Sequence, residues 1–383
     1  MKLQRKRTGD PPVPGGRQIV SPTQRDLFLS AEREPGGTTY SLGLALPLPR
    51  PVDPARWEHA MALVVGAESA LRLRFGVHGG DVVGWVAEQG SEGVARTDNV
   101  AEFVKRPYDL ARDPLVRSAL AGCEKGPQVA VVAAHHIVLD APGGALLLAR
   151  LWETYRTGSL PPVAGGDPFS SYAAQSRLVF DTPAVHAEWT RRLSDAGPLV
   201  AGSTVGEPRE VSQTLVELPP GIETREAAAR LLAAYGEALA TVLRPAGAFV
   251  VHDLANSRRG PYRETIGCLY QVVPVVFPPR DPTRTWLEHV RGYRRELGDR
   301  RHISVSLQRR LGPAEGVRFH FNFYSFDRLE GVPAVMEVLD SFPDDEAHLL
   351  AKPRPDGVRL ELHHPCSVDG PRLLAAIKKI TES

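Results

Sequence analysis

The run Gln128-Val-Ala-Val-Val-Ala-Ala134, closed by His135 and His136 and followed four residues later by Asp140, constrains this chain more than any other stretch. An apolar run of this length bounded by a turn reads as a buried strand, and Gly144 to Tyr155 reads as a helix. The fold must therefore deliver two imidazoles and a carboxylate to a strand-to-helix turn. Successive strand side chains point to opposite faces, so His135 and His136 share a cleft only if the backbone has already turned. One is expected to react and the other to support it.

A chain of 383 residues exceeds the usual single core, so two lobes or two domains are expected. Lys and Arg total 46 against 45 for Asp and Glu, and this net charge of +1 supplies no bulk field towards nucleic acid or an anionic membrane. Cys123, Cys268 and Cys366 are odd in number, widely spaced and without a CxxC pair, which argues against a disulfide framework or a zinc site and fits a reducing cytoplasm. The basic start Met1-Lys-Leu-Gln-Arg-Lys-Arg lacks the apolar stretch of an export signal, and residues 1–20 read as a flexible basic, Pro- and Gly-rich tail. No apolar run approaches the roughly 20 residues of a membrane span.

Ser21 caps and Pro22 starts a short helix through Leu29. Thr39 to Pro47 alternates as a strand. Asp53 and Pro54 open a helix whose Trp57, Met61, Val64 and Val65 share one face, before Leu71 to Phe75 switches to period two. Val82 to Val86 reads as a strand, Tyr172 to Phe180 and Pro183 to Leu193 as helices, and Pro198 to Glu210 as a connecting loop. Beyond it come helix Thr224 to Leu243, strands Ala248 to His252 and Leu269 to Phe277, helix Thr283 to Leu297 and strand Val317 to Phe326. The expected division is an N-terminal lobe over 21–180, carrying the histidine turn, and a C-terminal lobe over 181–383, both mixed α and β.

A neutral imidazole near pH 7 accepts a proton from an attacking amine or hydroxyl, or bonds to a tetrahedral intermediate, so the histidine pair suits acyl transfer. Asp140 is placed to brace the turn by pairing with an arginine. No serine or cysteine sits in an activated-nucleophile motif, which favours direct transfer over a covalent acyl-enzyme. The turn also reads as an ordinary strand end. A metal site is not expected there, because two adjacent histidines and one aspartate lack a third well-placed ligand. A second doublet, His363-His364, has no aspartate at the same spacing and reads as solvent-facing histidines of an edge strand.

The turn resembles the His-His-x-x-x-Asp-Gly signature of nonribosomal peptide synthetase condensation domains. Ser21-Pro-Thr-Gln-Arg-Asp-Leu-Phe-Leu29 is similar to that family's first motif, and Ala67-Glu-Ser-Ala-Leu71-Arg72-Leu-Arg-Phe75 to its Arg-His-Glu-x-Leu-Arg-x-x-Phe segment. Glu188-Trp189 through Leu193 resembles its Tyr-Trp-x-x-x-Leu helix, and Ile266-Gly267 through Pro274 its Ile-Gly-x-Phe-x-Asn-Thr-x-Pro motif. The resemblance implies an α/β fold with mixed sheets, in two chloramphenicol-acetyltransferase-like lobes forming a V-shaped pseudodimer with a central tunnel. It implies His136 as the reactive histidine with His135 and Asp140 in support, Arg258 as the partner of Asp140, with Arg259 competing for that place, and Ala141 and Gly143 as supporting positions. Ala141 replaces the motif glycine, Gln271 the usual asparagine, and the chain is shorter than typical members between Leu193 and Ala248.

The activity so implied is a freestanding condensation enzyme that forms an amide, or less readily an ester, from an acyl thioester on a carrier protein in natural-product biosynthesis. It would bind no cofactor, its substrates riding on the phosphopantetheine of partner carrier proteins, with a free amine as an alternative acceptor. A cytoplasmic monomer without nucleic-acid or membrane partners is expected. The alternatives are a degenerate relative that recruits a tailoring enzyme or carrier protein, and an O-acyltransferase, cyclase or epimerase of the same superfamily.

Overall fold

In the computed structural model, the described residues are 16–48, 51–88, 90–122, 128–161, 166–200, 206–280, 285–298, 303–311, 316–324, 336–339 and 342–383. Most of the expected tail and Cys123 lie outside them. Along the chain run β1 (Arg17–Gln18), α1 (Pro22–Ala31), β2 (Ser41–Leu48), α2 (Pro54–Ala67), β3 (Leu73–His78), β4 (Asp81–Val86), β5 (Val94–Thr97), α3 (Val100–Val104), β6 (Val116–Gly122), β7 (Gln128–His135), α4 (Ala141–Thr157) and α5 (Pro168–Phe180). They are followed by α6 (Pro183–Leu193), β8 (Arg209–Val216), α7 (Thr224–Leu243), β9 (Phe249–Asn256), β10 (Tyr270–Phe277), α8 (Trp286–Leu297), α9 (Val305–Leu311), β11 (Arg318–Phe323), β12 (Met336–Leu339), β13 (Glu346–Arg354), β14 (Gly357–Pro365) and α10 (Gly370–Thr381).

Two compact units result. The first comprises Met1–Leu178, Asn256–Tyr270 and Phe326–Ser341; the second comprises Val179–Ala255, Gln271–Ser325 and Phe342–Ser383. Two stretches from beyond residue 180 thus fold with the first unit: β12 pairs with β2, and the 256–270 stretch bonds to the histidine turn.

The first unit holds a three-stranded sheet, β1-β4-β3, and a five-stranded sheet, β12-β2-β7-β6-β5. Its central strand β7 pairs antiparallel with β2 on one side and β6 on the other. Helix α3 packs on β7, and α4 packs on β2 and on α2. Cover from helices explains why β7 reads as an unbroken apolar run instead of an alternating one. Helix α2 begins where expected, Asp53 accepting from the backbone N–H groups of Ala55 and Arg56, and it buries Trp57, Met61, Val64 and Val65. The indole Nε1 of Trp57 donates to Ser118 Oγ at 3.1 Å, and Ser118 Oγ donates to Val131 O at 3.1 Å, tying α2 through β6 to β7.

The second unit is built on a six-stranded mixed sheet, β10-β9-β11-β13-β14-β8. Helices α8 and α10 pack against α7, whose Tyr235 lies against the rings of Phe319 and Phe321. Gly236 of α7 leaves room for the Phe277 ring, which a Cβ there would approach to 2.3 Å. Strand β13 and helix α10 are short apolar segments that the sequence pattern does not announce, and β8 begins inside the expected 198–210 loop.

The second histidine doublet is placed differently from its expectation. Strand β14 lies between β13 and β8, so it is no edge; His364 is fully buried and its Nε2 lies 3.0 Å from Ser212 Oγ. The pairing partners of β14 come from residues 209–216 and 346–354, and no local pattern announces them.

Trp57→Ala removes a fully buried indole and its bond to Ser118, and is expected to cost about 3–5 kcal/mol of stability, read from the urea midpoint at unchanged m-value.

Candidate active site

Strand β7 ends at His135, whose backbone N–H donates to Leu115 O at 3.0 Å. The next N–H, of His136, donates to Tyr40 O at 2.8 Å, and Val138 N–H closes a turn on His135 O at 3.0 Å. The backbone turns at His136, so the two rings enter different surroundings. His135 is buried, its Nδ1 accepting from Ile137 N–H at 3.1 Å, with the rings of Tyr40 and Tyr108 around it at 6.2 and 5.9 Å. Arg117 in turn lies over Tyr108, 3.7 Å from its ring centroid. His136 is half-buried and meets Tyr270 edge-on at 5.8 Å.

Burial, and then the neighbouring His136, push the His135 imidazole down to about 3, so it is neutral at pH 7. The His136 imidazole is also held below its usual value of 6.5 by burial, against the opposing pull of the Asp140 charge and the Leu139 backbone. A neutral His136 retains a ring nitrogen able to accept a proton.

Asp140 does not bond to either histidine. It is the N-cap of α4, its Oδ1 accepting from Gly143 N–H at 2.8 Å. Its Oδ2 accepts from Leu269 N–H at 2.7 Å and from Arg258 Nη1 at 2.8 Å, while Arg258 Nη2 lies 2.7 Å from Oδ1. The guanidinium, almost wholly buried, donates again to Thr265 O and Gly267 O. A bidentate carboxylate pair inside the protein is favourable only when its remaining lone pairs and protons are met, as they are here. Arg258 holds this place; Arg259 is exposed.

Ala141 is the first residue of α4, which starts three residues before the expected Gly144. Arg244 is the one non-glycine with a positive φ among the described residues, so the alanine methyl at 141 imposes no left-handed strain. A side chain is excluded at Gly143, where a Cβ would stand 2.6 Å from Arg258 Nη2 and 2.7 Å from Gly267 O.

His135, His136, Asp140, Ala141, Gly143 and Arg258 are therefore gathered around one turn. Gln24 joins them: its Nε2 donates to Ile137 O at 2.9 Å while its Oε1 accepts from Ser21 N–H. Ser21 as the N-cap is legible in the sequence; the reciprocal bond of Gln24 that completes a capping box, and its hold on the histidine turn, come from the structure. Cys268 is buried among these residues, and burial raises its thiol well above the usual value, which leaves it unreactive.

Residues 16–192 match the condensation domain family. Tyrocidine synthase 2 of Brevibacillus parabrevis is 29% identical over 149 residues, 37% of this chain and 4% of that protein. Phosphinothricin tripeptide synthetase PhsC of Streptomyces viridochromogenes is 26% identical over 265 residues, 63% of this chain and 23% of its own length. The chain thus spans a small part of the curated relatives it matches. The first condensation domain of the calcium-dependent antibiotic synthetase, in complex with a substrate analogue, aligns with a TM-score of 0.73 at 20% identity, covering 96% of this chain and 95% of that one. A double mutant of the starter condensation domain of rhizomide synthetase RzmA, in complex with C8-CoA and Leu-SNAC, aligns with a TM-score of 0.77 at 17% identity, covering 96% of this chain and 93% of that one. The mixed α/β fold is the chloramphenicol-acetyltransferase-like fold of condensation domains.

Arg258→Ala leaves the Asp140 carboxylate buried without its countercharge and is expected to cost about 3–5 kcal/mol in urea unfolding. Arg258→Lys, lacking the planar fork, recovers part of that loss, and Arg259→Ala stays within about 1 kcal/mol of the parent.

The folded His135 titrates near 3 and the unfolded one near 6.5, so below pH 6.5 the unfolded chain takes up a proton that the folded chain does not. The stability associated with neutral His135 is complete above pH 6.5 and is lost as pH falls towards 3. His135→Asn is expected to flatten the decline of the urea midpoint between pH 6.5 and 4; an unchanged slope would count against the buried neutral imidazole.

Proposed function

We propose that this chain, a condensation domain of the nonribosomal peptide synthetase type, forms an amide between a carrier-bound acyl thioester and an amine acceptor, with His136 at the reacting atoms. Condensation domains need no bound cofactor; the phosphopantetheine of carrier proteins brings the substrates. The observation that carries the proposal is the half-buried imidazole of His136, neutral at pH 7, on a turn whose backbone is tied to Tyr40 and Gln24.

The acceptor amine attacks the thioester carbonyl carbon, the new C–N bond forms, and the C–S bond breaks. His136 receives a proton from the amine and passes it to the departing thiolate, so no proton need enter from solvent. His135, with its Nδ1 engaged by Ile137 N–H, positions the turn, and the carboxylate of Asp140, committed to Arg258 and two backbone amides, keeps it from moving. These are positioning roles. Ester formation from a hydroxyl acceptor follows the same proton path and is the less favoured reaction.

The test supplies donor and acceptor carrier proteins in trans and weighs both intact. The acceptor carrier is expected to gain the mass of the donor acyl group, and His136→Ala to lower that rate by about 10²–10⁴-fold with its near-UV circular dichroism unchanged. Equal turnover by His136→Ala would remove the catalytic assignment. Carriers that bind without any change of mass would point to recruitment instead.

A further inference from the structure

The sheet of the second unit carries a row of histidines that the acyl-transfer chemistry does not use. His252 of β9 pairs in register with His320 of β11, His320 with His348 of β13, and His348 with His363 of β14. Residues paired in this way lie on the same face of the sheet. Phe319 and Phe321, flanking His320, turn to the opposite face and the α7 core. The rings of His252 and His320 stack at 4.7 Å, those of His320 and His348 at 4.3 Å and 6°, and Phe342 stacks on His348 at 3.9 Å.

Glu346 stands two residues before His348, on the same face of β13. Its Oε2 lies 2.8 Å from His348 Nε2 and 3.5 Å from His320 Nε2, and one ligand atom from each of the three lies within 4.8 Å of the others. Two ligands of a tetrahedral zinc ion at about 2.0–2.1 Å are roughly 3.3–3.4 Å apart, and the two separations from Glu346 bracket that figure. An imidazole binds a metal in its own ring plane, so one of the stacked rings of His320 and His348 turns out of the stack when both hold the same ion. All three residues are buried, with side-chain exposures of 4%, 10% and 7% for His320, Glu346 and His348.

A packed core does not account for His320. Among the described residues neither its Nδ1 nor its Nε2 makes a hydrogen bond, Nε2 having only the 3.5 Å contact with Glu346, and a buried polar atom left so costs about 1–3 kcal/mol. The carboxylate, by contrast, is held as metal-binding carboxylates are: Arg318 Nη2 donates to Glu346 Oε1 at 2.8 Å, and Arg318 Nη1 lies 2.7 Å from Asp345. Arg309, at 3.8 Å from Glu346 and 3.9 Å from Asp345, and Arg209, which donates to Glu346 O and Asp344 O, join Arg318 to face the three carboxylates of Asp344, Asp345 and Glu346. That set is neutral, so the charge of a dication would be left for an anion or hydroxide as a further ligand. His252 and His320 line a cavity of about 50 Å³ together with Arg309 and Arg318, large enough for such a ligand and flanked by groups that favour an anion.

We propose that His320, His348 and Glu346 form a binding site for a divalent transition-metal ion, with a further coordination position left for water or an anion. Two imidazoles and one carboxylate suit zinc and its first-row neighbours in preference to magnesium or calcium. The site lies wholly within the second unit and takes no part in the histidine-turn chemistry.

The experiment uses the untagged full chain, stripped with chelator and dialysed against zinc chloride or cobalt chloride, with bound metal counted by plasma mass spectrometry. About one ion per chain is expected, with cobalt giving the visible absorption of a low-symmetry nitrogen and oxygen site. His320→Gln and His348→Gln should each lower occupancy at least about tenfold, whereas substitution of the exposed His59 to Gln should not change it. Occupancy below about 0.1 in the parent chain, or a cobalt spectrum retained by the His320→Gln, His348→Gln double variant, overturns the site and leaves the cluster as an ion-pair network. Should those variants not fold, the parent chain decides alone: a visible cobalt band abolished by equimolar zinc supports the site, and no band overturns it.

Discussion

One buried carboxylate organises the candidate active site. Asp140 accepts from the N-terminal turn of α4, from Leu269 and from both terminal nitrogens of Arg258. Removing such a charge from water costs several kcal/mol unless every lone pair finds a donor. That requirement brings the 256–270 stretch onto the turn, excludes a side chain at Gly143 and holds Gly267 at a φ of +155°. The histidines inherit their placement from this arrangement without touching the carboxylate.

The rings of His135 and His136 enter different surroundings through backbone geometry more than through the alternation of a strand. Strand pairing ends at Ser41 opposite His135, after which His136 N–H turns to Tyr40 O. One ring is then fixed against Ile137 and two tyrosines, and the other is left half-buried against Tyr270. Desolvation acts on both and holds both imidazoles in the neutral form at pH 7.

The ordered interior of the second unit follows a different rule. Its histidines come from strands far apart in sequence and meet through parallel and antiparallel register, which no local motif records. The doublet His363-His364 illustrates the difficulty. A strand interior and a strand edge share the same composition when the neighbours that cover them arrive from elsewhere in the chain. Likewise, β8 and β13 are short segments whose assignment depends on the strands beside them.

Local chemistry was legible where it is local. Ser21-Pro22 and Asp53-Pro54 start helices because capping and a fixed proline φ act within one turn, and the 20-residue α7 is visible from its apolar periodicity. The strand, the histidine turn and the helix after it could be read from the amino acids alone. The choice of Arg258 over Arg259, the second use of Gln24, the unstrained backbone at Ala141 and the gathering of His320, Glu346 and His348 were decided only by tertiary structure. Each depends on distances between residues far apart along the chain, and those distances exist only once the sheets have chosen their partners.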